Sequence, residues 1–146
     1  MRRIVYITLL VFLVSCKKEE NTLPTQPEIE FISISVTEVE EFDNSITLVL
    51  NYKDKEGDIG QADPDAYSLR VKDARLEEFD WYHIPPITPD LQELQTQGIL
   101  SVQLNALFLL GNGETESTFF TIQLKDRAGN WSNQIQCPEI TIVQSP

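Results

Sequence analysis

Apolar side chains recur at every second position in short runs along most of this chain, and turn-forming residues separate the runs. Ile29 to Val36 (IEFISISV) is the first run. Ser45 to Tyr52 is the second, with Ile46, Leu48, Leu50 and Tyr52 sharing one face. Tyr67 to Val71 follows, then Leu100, Val102 and Leu104, then Phe120, Ile122 and Leu124, then Ile135 and Cys137. Ile140 and Ile142 resume beyond Pro138 with opposite parity, which predicts a bulge at Cys137-Pro138. Between these runs, the stretch holding Phe79, Trp81, Tyr82 and IPPITP is irregular. Its prolines cannot donate ladder hydrogen bonds, so it suits an edge or a long connection. Pro89 to Gln97 (PDLQELQTQ), with Asp90 as its cap, is the helix candidate.

Some seven strands with regular turn signals predict an all-β immunoglobulin-like or fibronectin type III-like antiparallel sandwich, with a jelly roll as the alternative. In that topology the loop KDKEGDIGQADPD joins the second strand to the third, and DRAGNWSN joins the sixth to the seventh. Both loops then lie at one end of the sandwich, the end where the chain enters its first strand.

The amino terminus changes the picture of where such a domain sits. Arg2 and Arg3 precede an apolar run from Ile4 to Val14, too short to span a bilayer, which reads as a secretory signal peptide. Leu13-Val14-Ser15-Cys16 resembles the lipobox of bacterial lipoproteins. That resemblance implies removal of residues 1–15 and a diacylglycerol- and palmitate-bearing Cys16 as the first mature residue. Lys17-Lys18-Glu19-Glu20 resembles the signal that sends lipoproteins of Bacteroidetes to the exterior face of the outer membrane; a solvated charged spacer is the plain alternative. Residues 16–27 then form a lipidated linker and residues 28–146 the folded domain.

Loss of Arg2 and Arg3 takes the net charge from −12 to −14. That charge argues against nucleic acid as a partner, and the domain should meet cations, neutral ligands or other proteins. With Cys16 acylated, Cys137 has no intrachain disulfide partner, so stability rests on the core and on any bound metal.

Asp54, Glu56 and Asp58 alternate within KDKEGDIG, and Asp63 and Asp65 follow. Alternate oxygen donors interrupted by glycine suit calcium, whose six to eight oxygens Asp126 and Asn130 of the second loop could help complete. An EF-hand is excluded, because no helices flank the loop and the glycine is misplaced. The other reading is a solvated turn with glycine at positive φ, in which Asp126 merely closes an Asx-type turn. Both readings stand at the level of sequence.

GDIG (Gly57 to Gly60) and DRAGNWSN (Asp126 to Asn133), with IPPITP between them, resemble a family of Bacteroidetes lipoproteins of unassigned activity, over about Phe31 to Ile142. The resemblance implies an immunoglobulin-like fold and an outer-membrane location, and leaves function open.

Chemistry for catalysis is thin. His83 is the one histidine, among Trp81, Tyr82 and Ile84, and no nucleophile elbow exists. Cys137 reads as a small buried hydrophobe. Glu40-Glu41 and Glu77-Glu78 are adjacent pairs whose side chains point apart on a strand. Trp81, Tyr82 and Trp131 either plug the sandwich end or form a stacking platform for glycan or peptide. The expectation is therefore a non-enzymatic lipoprotein, anchored in the membrane through Cys16, that serves an outer-membrane protein or complex. A glycan-binding module of a polysaccharide-uptake system is the alternative.

Overall fold

The computed structural model describes residues 23–44, 46–88 and 94–146. Cys16 and the export signal lie outside these residues, as do residues 89–93 of the helix candidate. Strong alternation of inward and outward side chains draws the described chain into β1 (Glu28–Ile34), β2 (Glu38–Glu40), β3 (Thr47–Asp54), β4 (Leu69–Asp73), β5 (Asp80–Tyr82), β6 (Thr96–Gln103), β7 (Thr115–Thr118), β8 (Phe120–Leu124), β9 (Ile135–Gln136) and β10 (Ile140–Val143). No helix occurs among the described residues. Thr96 and Gln97, the end of the helix candidate, are instead drawn into β6 by pairing with Asp54 and Lys53 of β3.

The order β1-β3-β6 makes one sheet and β5-β4-β8-β9 the opposing one, while β2-β10-β7 extends the β8–β9 pair. β7 and β8 are one line interrupted at Phe119, and β9 and β10 one line interrupted at Cys137 to Glu139. Pairing of Ile122 with Ile135 and of Thr118 with Ile140 differs in register by one residue, so the last strand carries the extra residue that the parity change required. The Phe120 amide donates to Cys137 Sγ there (3.1 Å), and the Cys137 amide donates to the Phe120 carbonyl. β2 lies parallel to β10, and the remaining pairs are antiparallel. This is an all-β sandwich, as the strand spacing predicted.

Leu48 and Leu50 from the first sheet meet Leu69, Val71, Ile122 and Leu124 from the second, with Ile29, Ile140 and Ile142 closing the core. Burying one such side chain contributes about 1.5–3 kcal/mol. The β1 edge is also held to the second sheet. Asn133 Oδ1 accepts from the Ile29 amide (2.8 Å), and Asn133 Nδ2 donates to the Ile29 carbonyl (2.9 Å). Just upstream, the Lys55 amide donates to the Pro24 carbonyl (2.9 Å), so the chain is pinned before β1 begins.

Candidate functional site

The inward parity of β3 runs through Ile46, Leu48, Leu50 and Tyr52 and ends on Asp54, a carboxylate with 0% exposure. Two turns then bring acids from elsewhere to meet it. Gly57 (φ 68°) and Gly60 (φ 87°) occupy the left-handed region, and a Cβ on either would collide with backbone, at the Leu94 and Pro85 carbonyls respectively. Only glycine lets the GDIG loop lie this close to IPPIT. Three bonds lock the two segments together: the Gln61 amide to the Ile84 carbonyl, the Ile87 amide to the Ile59 carbonyl, and Thr88 Oγ1 to the Gly57 carbonyl (2.6 Å).

The second loop docks on the other side. Ile59 bridges Asp126, the Arg127 amide donates to the Asp58 carbonyl (3.0 Å), and the Ala128 amide donates to Asp58 Oδ2 (3.1 Å). Asp126 is itself closed by Asn130, whose amide donates to Oδ1 (2.7 Å) and whose Nδ2 donates to Oδ2 (2.8 Å). The two loops therefore converge as the topology predicted, and they do so through their acids.

Asp54, Asp58 and Asp126 each bring a carboxylate oxygen to within 4.8 Å of the others. Asp54 Oδ2 accepts from the Asp58 amide (3.0 Å). Asp54 Oδ1, Asp58 Oδ1 and Glu56 Oε2 are buried without a hydrogen-bond partner among the described residues. None of the three clustered aspartates forms an ion pair among the described residues. Arg127 instead directs Nη1 at the Gly60 carbonyl (3.3 Å). Burial, with Asp58 and Glu56 adding repulsion, pushes Asp54 up to about 6, although backbone donors from Asp58 and Gly57 oppose the rise.

Buried, unpartnered carboxylate oxygens in a like-charged cluster need a cation or a proton. The donors are all oxygen, which suits a hard cation such as calcium and not zinc or copper. Of the residues expected to ligate, Asp54, Asp58 and Asp126 are brought together, Glu56 stands beside them with an orphaned oxygen, and Asn130 is engaged in closing Asp126. Asp63 and Asp65 are exposed, with Asp63 Oδ1 accepting the Asp65 amide in a local turn (3.0 Å).

The aromatic residues gather on the outer face of the second sheet. Trp81, 45% exposed, and half-buried Trp131 have ring centroids 6.0 Å apart with planes tilted by 57°, so they do not form a flat platform. Tyr82 points the other way, and its hydroxyl accepts from the Asn105 amide (3.0 Å). Sequence reading missed the cations between the rings. Arg70 lies 4.0 Å from the Trp131 ring and 4.6 Å from that of Phe79, Lys125 lies 5.3 Å from Trp131, and Lys72 lies 5.6 Å from Phe79. Their outward parity on β4 and beyond β8 was the available signal.

His83 Nδ1 donates to the Ala66 carbonyl (2.9 Å), and burial raises the Cys137 thiol. These placements give neither residue the surroundings of an activated base or nucleophile. The fold and the cluster define an all-β sandwich domain with an oxygen-lined acidic centre between two loops. No family model, curated protein or solved structure matches this chain.

Proposed function

We propose that this protein is a non-enzymatic lipoprotein of the bacterial outer membrane, facing the cell exterior, whose sandwich is rigidified by calcium and acts as an accessory or interaction module of a membrane complex. The buried orphan oxygens of Asp54 and Asp58 beside Asp126 carry the calcium part of this reading. Asp54, Asp58 and Asp126 would hold the ion with Glu56 close by, and the ion would neutralise the like charges gathered where the two loops meet. The lipobox at Cys16, the KKEE signal and the resemblance to Bacteroidetes lipoproteins support the location. Its mechanism is presentation: a lipid holds the domain at a surface, a linker lets it search, and a rigid face engages the partner.

Calorimetric titration tests the ion. Calcium should bind one site per chain, more tightly than magnesium, and Asp126→Asn should weaken it by at least about tenfold, the loss of about 1.4 kcal/mol. Absence of binding at millimolar calcium would refute the calcium reading. Cys16→Ala should move the protein from the membrane fraction to the soluble fraction; retention in the membrane would refute the anchor.

A further inference from the structure

We infer that the outer face of the β5-β4-β8-β9 sheet is a binding surface for an anionic polysaccharide, one whose sugar rings carry carboxylates. The inference goes beyond the ion site and does not require it. The outward positions of this sheet are Trp81 on β5, Arg70 and Lys72 on β4, Thr121 and Gln123 on β8, and Gln136 on β9. Phe79, Lys125 and Trp131 extend the same face, as their ring and cation contacts show. Not one carboxylate stands among these positions, in a chain that carries 23 acids against 11 bases. Glu77 and Glu78, in the β4–β5 turn, precede Phe79 in sequence.

The cations are available. Among the described residues Arg70, Lys72 and Lys125 have no carboxylate within ion-pair distance, whereas Lys53 and Arg75 are paired with acids; Lys55 and Arg127, also without an ion pair, lie by the acidic loops. Arg70 is nonetheless oriented: Nε and Nη2 both donate to Gln123 Oε1 (3.2 and 2.6 Å), and its plane sits between the Phe79 and Trp131 rings. Three such cations on one face of an acidic body make a local positive field that favours an anion there.

The neighbours of these cations select the class of anion. Aromatic rings, amides and hydroxyls alternate with the charges, and the large exposed aliphatic side chains Ile32, Ile99, Leu94 and Leu110 all lie on other elements. A protein interface would centre on a desolvated apolar cluster, whereas sugar rings stack on exposed aromatic faces and spend their hydroxyls on amides. The 57° tilt between Trp81 and Trp131 fits a chain that twists from one residue to the next. On the other side of Trp131 an open pocket of about 440 Å³, lined by Pro24, Pro27 and Asn133 and by Glu28, adjoins this face.

Affinity electrophoresis of the full chain through gels containing polygalacturonate, dextran or polyglutamate decides the matter. Polygalacturonate should retard the protein, and added salt should relieve the retardation. Arg70→Gln should weaken binding by about tenfold, and so should Lys125→Gln, which spares the packing of half-buried Arg70; Trp81→Ala should do so for polygalacturonate without changing the response to polyglutamate. Glu139→Gln serves as a remote control and should change nothing. No retardation by polygalacturonate would overturn the inference, as would equal retardation by dextran, or equal affinity for polyglutamate with no effect of Trp81→Ala. Unchanged binding in both cation variants would also overturn it.

Discussion

Replacing Asp54 with asparagine separates a metal ligand from an ordinary buried acid, because the two roles give opposite signs in chelator and in calcium. Asp54 is fully buried, and its carboxyl is held up to about 6 from an ordinary 3.8. A raised carboxyl contributes stability that is present below pH 4 and is lost as pH rises through 6. At pH 7.5 without metal the ionised side chain therefore costs up to about 3 kcal/mol, at about 1.4 kcal/mol per pH unit. Asparagine keeps an oxygen for the Asp58 amide and removes the charge.

In chelator, Asp54→Asn should melt higher than the wild type, by as much as about 10 °C for a domain of this size. Calcium at a thousand times its dissociation constant should add about 4.1 kcal/mol to the wild type and little to the variant, so the order of the two reverses. The assay is thermal unfolding followed by circular dichroism, with chelator and with calcium. A variant that melts lower than the wild type in chelator, yet gains as much from calcium, would refute the assignment of Asp54.

Three further outcomes test the frame around the site. Gly60→Ala places a Cβ against the Pro85 carbonyl at φ 87° and should lower stability by more than about 2 kcal/mol in urea unfolding, with weaker calcium binding as a second readout. Arg75→Met strips the guanidinium from the buried Asp73, leaving it the Thr118 hydroxyl and the backbone amide of residue 75, and should cost about 3 kcal/mol at pH 7. Burial alone would raise Asp73, but its hydrogen bonds to Arg75 and Thr118 outweigh burial and hold it below the usual range. The stability it contributes is present above its unfolded value and is lost as pH falls through the depressed one, so the gap between wild type and Arg75→Met in urea midpoints should narrow below about pH 4. In a Cys16→Ala background, Cys137 should resist a thiol reagent in the native state and react on denaturation, since the sulfur is buried and accepts the Phe120 amide.

Local periodicity made most of the fold legible. β3, β4 and β8 alternate cleanly because each is half-buried, and the parity change at Pro138 marked the bulge. β7 (TEST) has no apolar alternation and becomes a strand by pairing with β10, a partner more than twenty residues away. β2 is likewise made by its parallel pairing with β10. In the site, the GDIG and DRAGNWSN loops met as topology required. Yet the parity that already placed Asp54 inward was the stronger signal, and loop composition masked it. The role of Asn130 depends on where its amide turns, which sequence does not encode. The Arg70 face depends on register between β4, β5 and β8, a property of three distant segments at once.

Asn133 gives the sandwich a mechanical character. Pulled from its amino-terminal side, a domain of this topology would peel β1 from β3 one rung at a time, starting at the Glu28–Lys53 pair, the weakest way to load an antiparallel ladder. The Asn133 amide grips both polar groups of Ile29 from the opposite sheet, and the Pro24 carbonyl is fastened to Lys55 ahead of it. Tension must break these fastenings together before the first rung opens. A pull that would unzip the strand becomes a shear on the whole end of the sandwich, and the two loops bearing the acids sit where that load arrives.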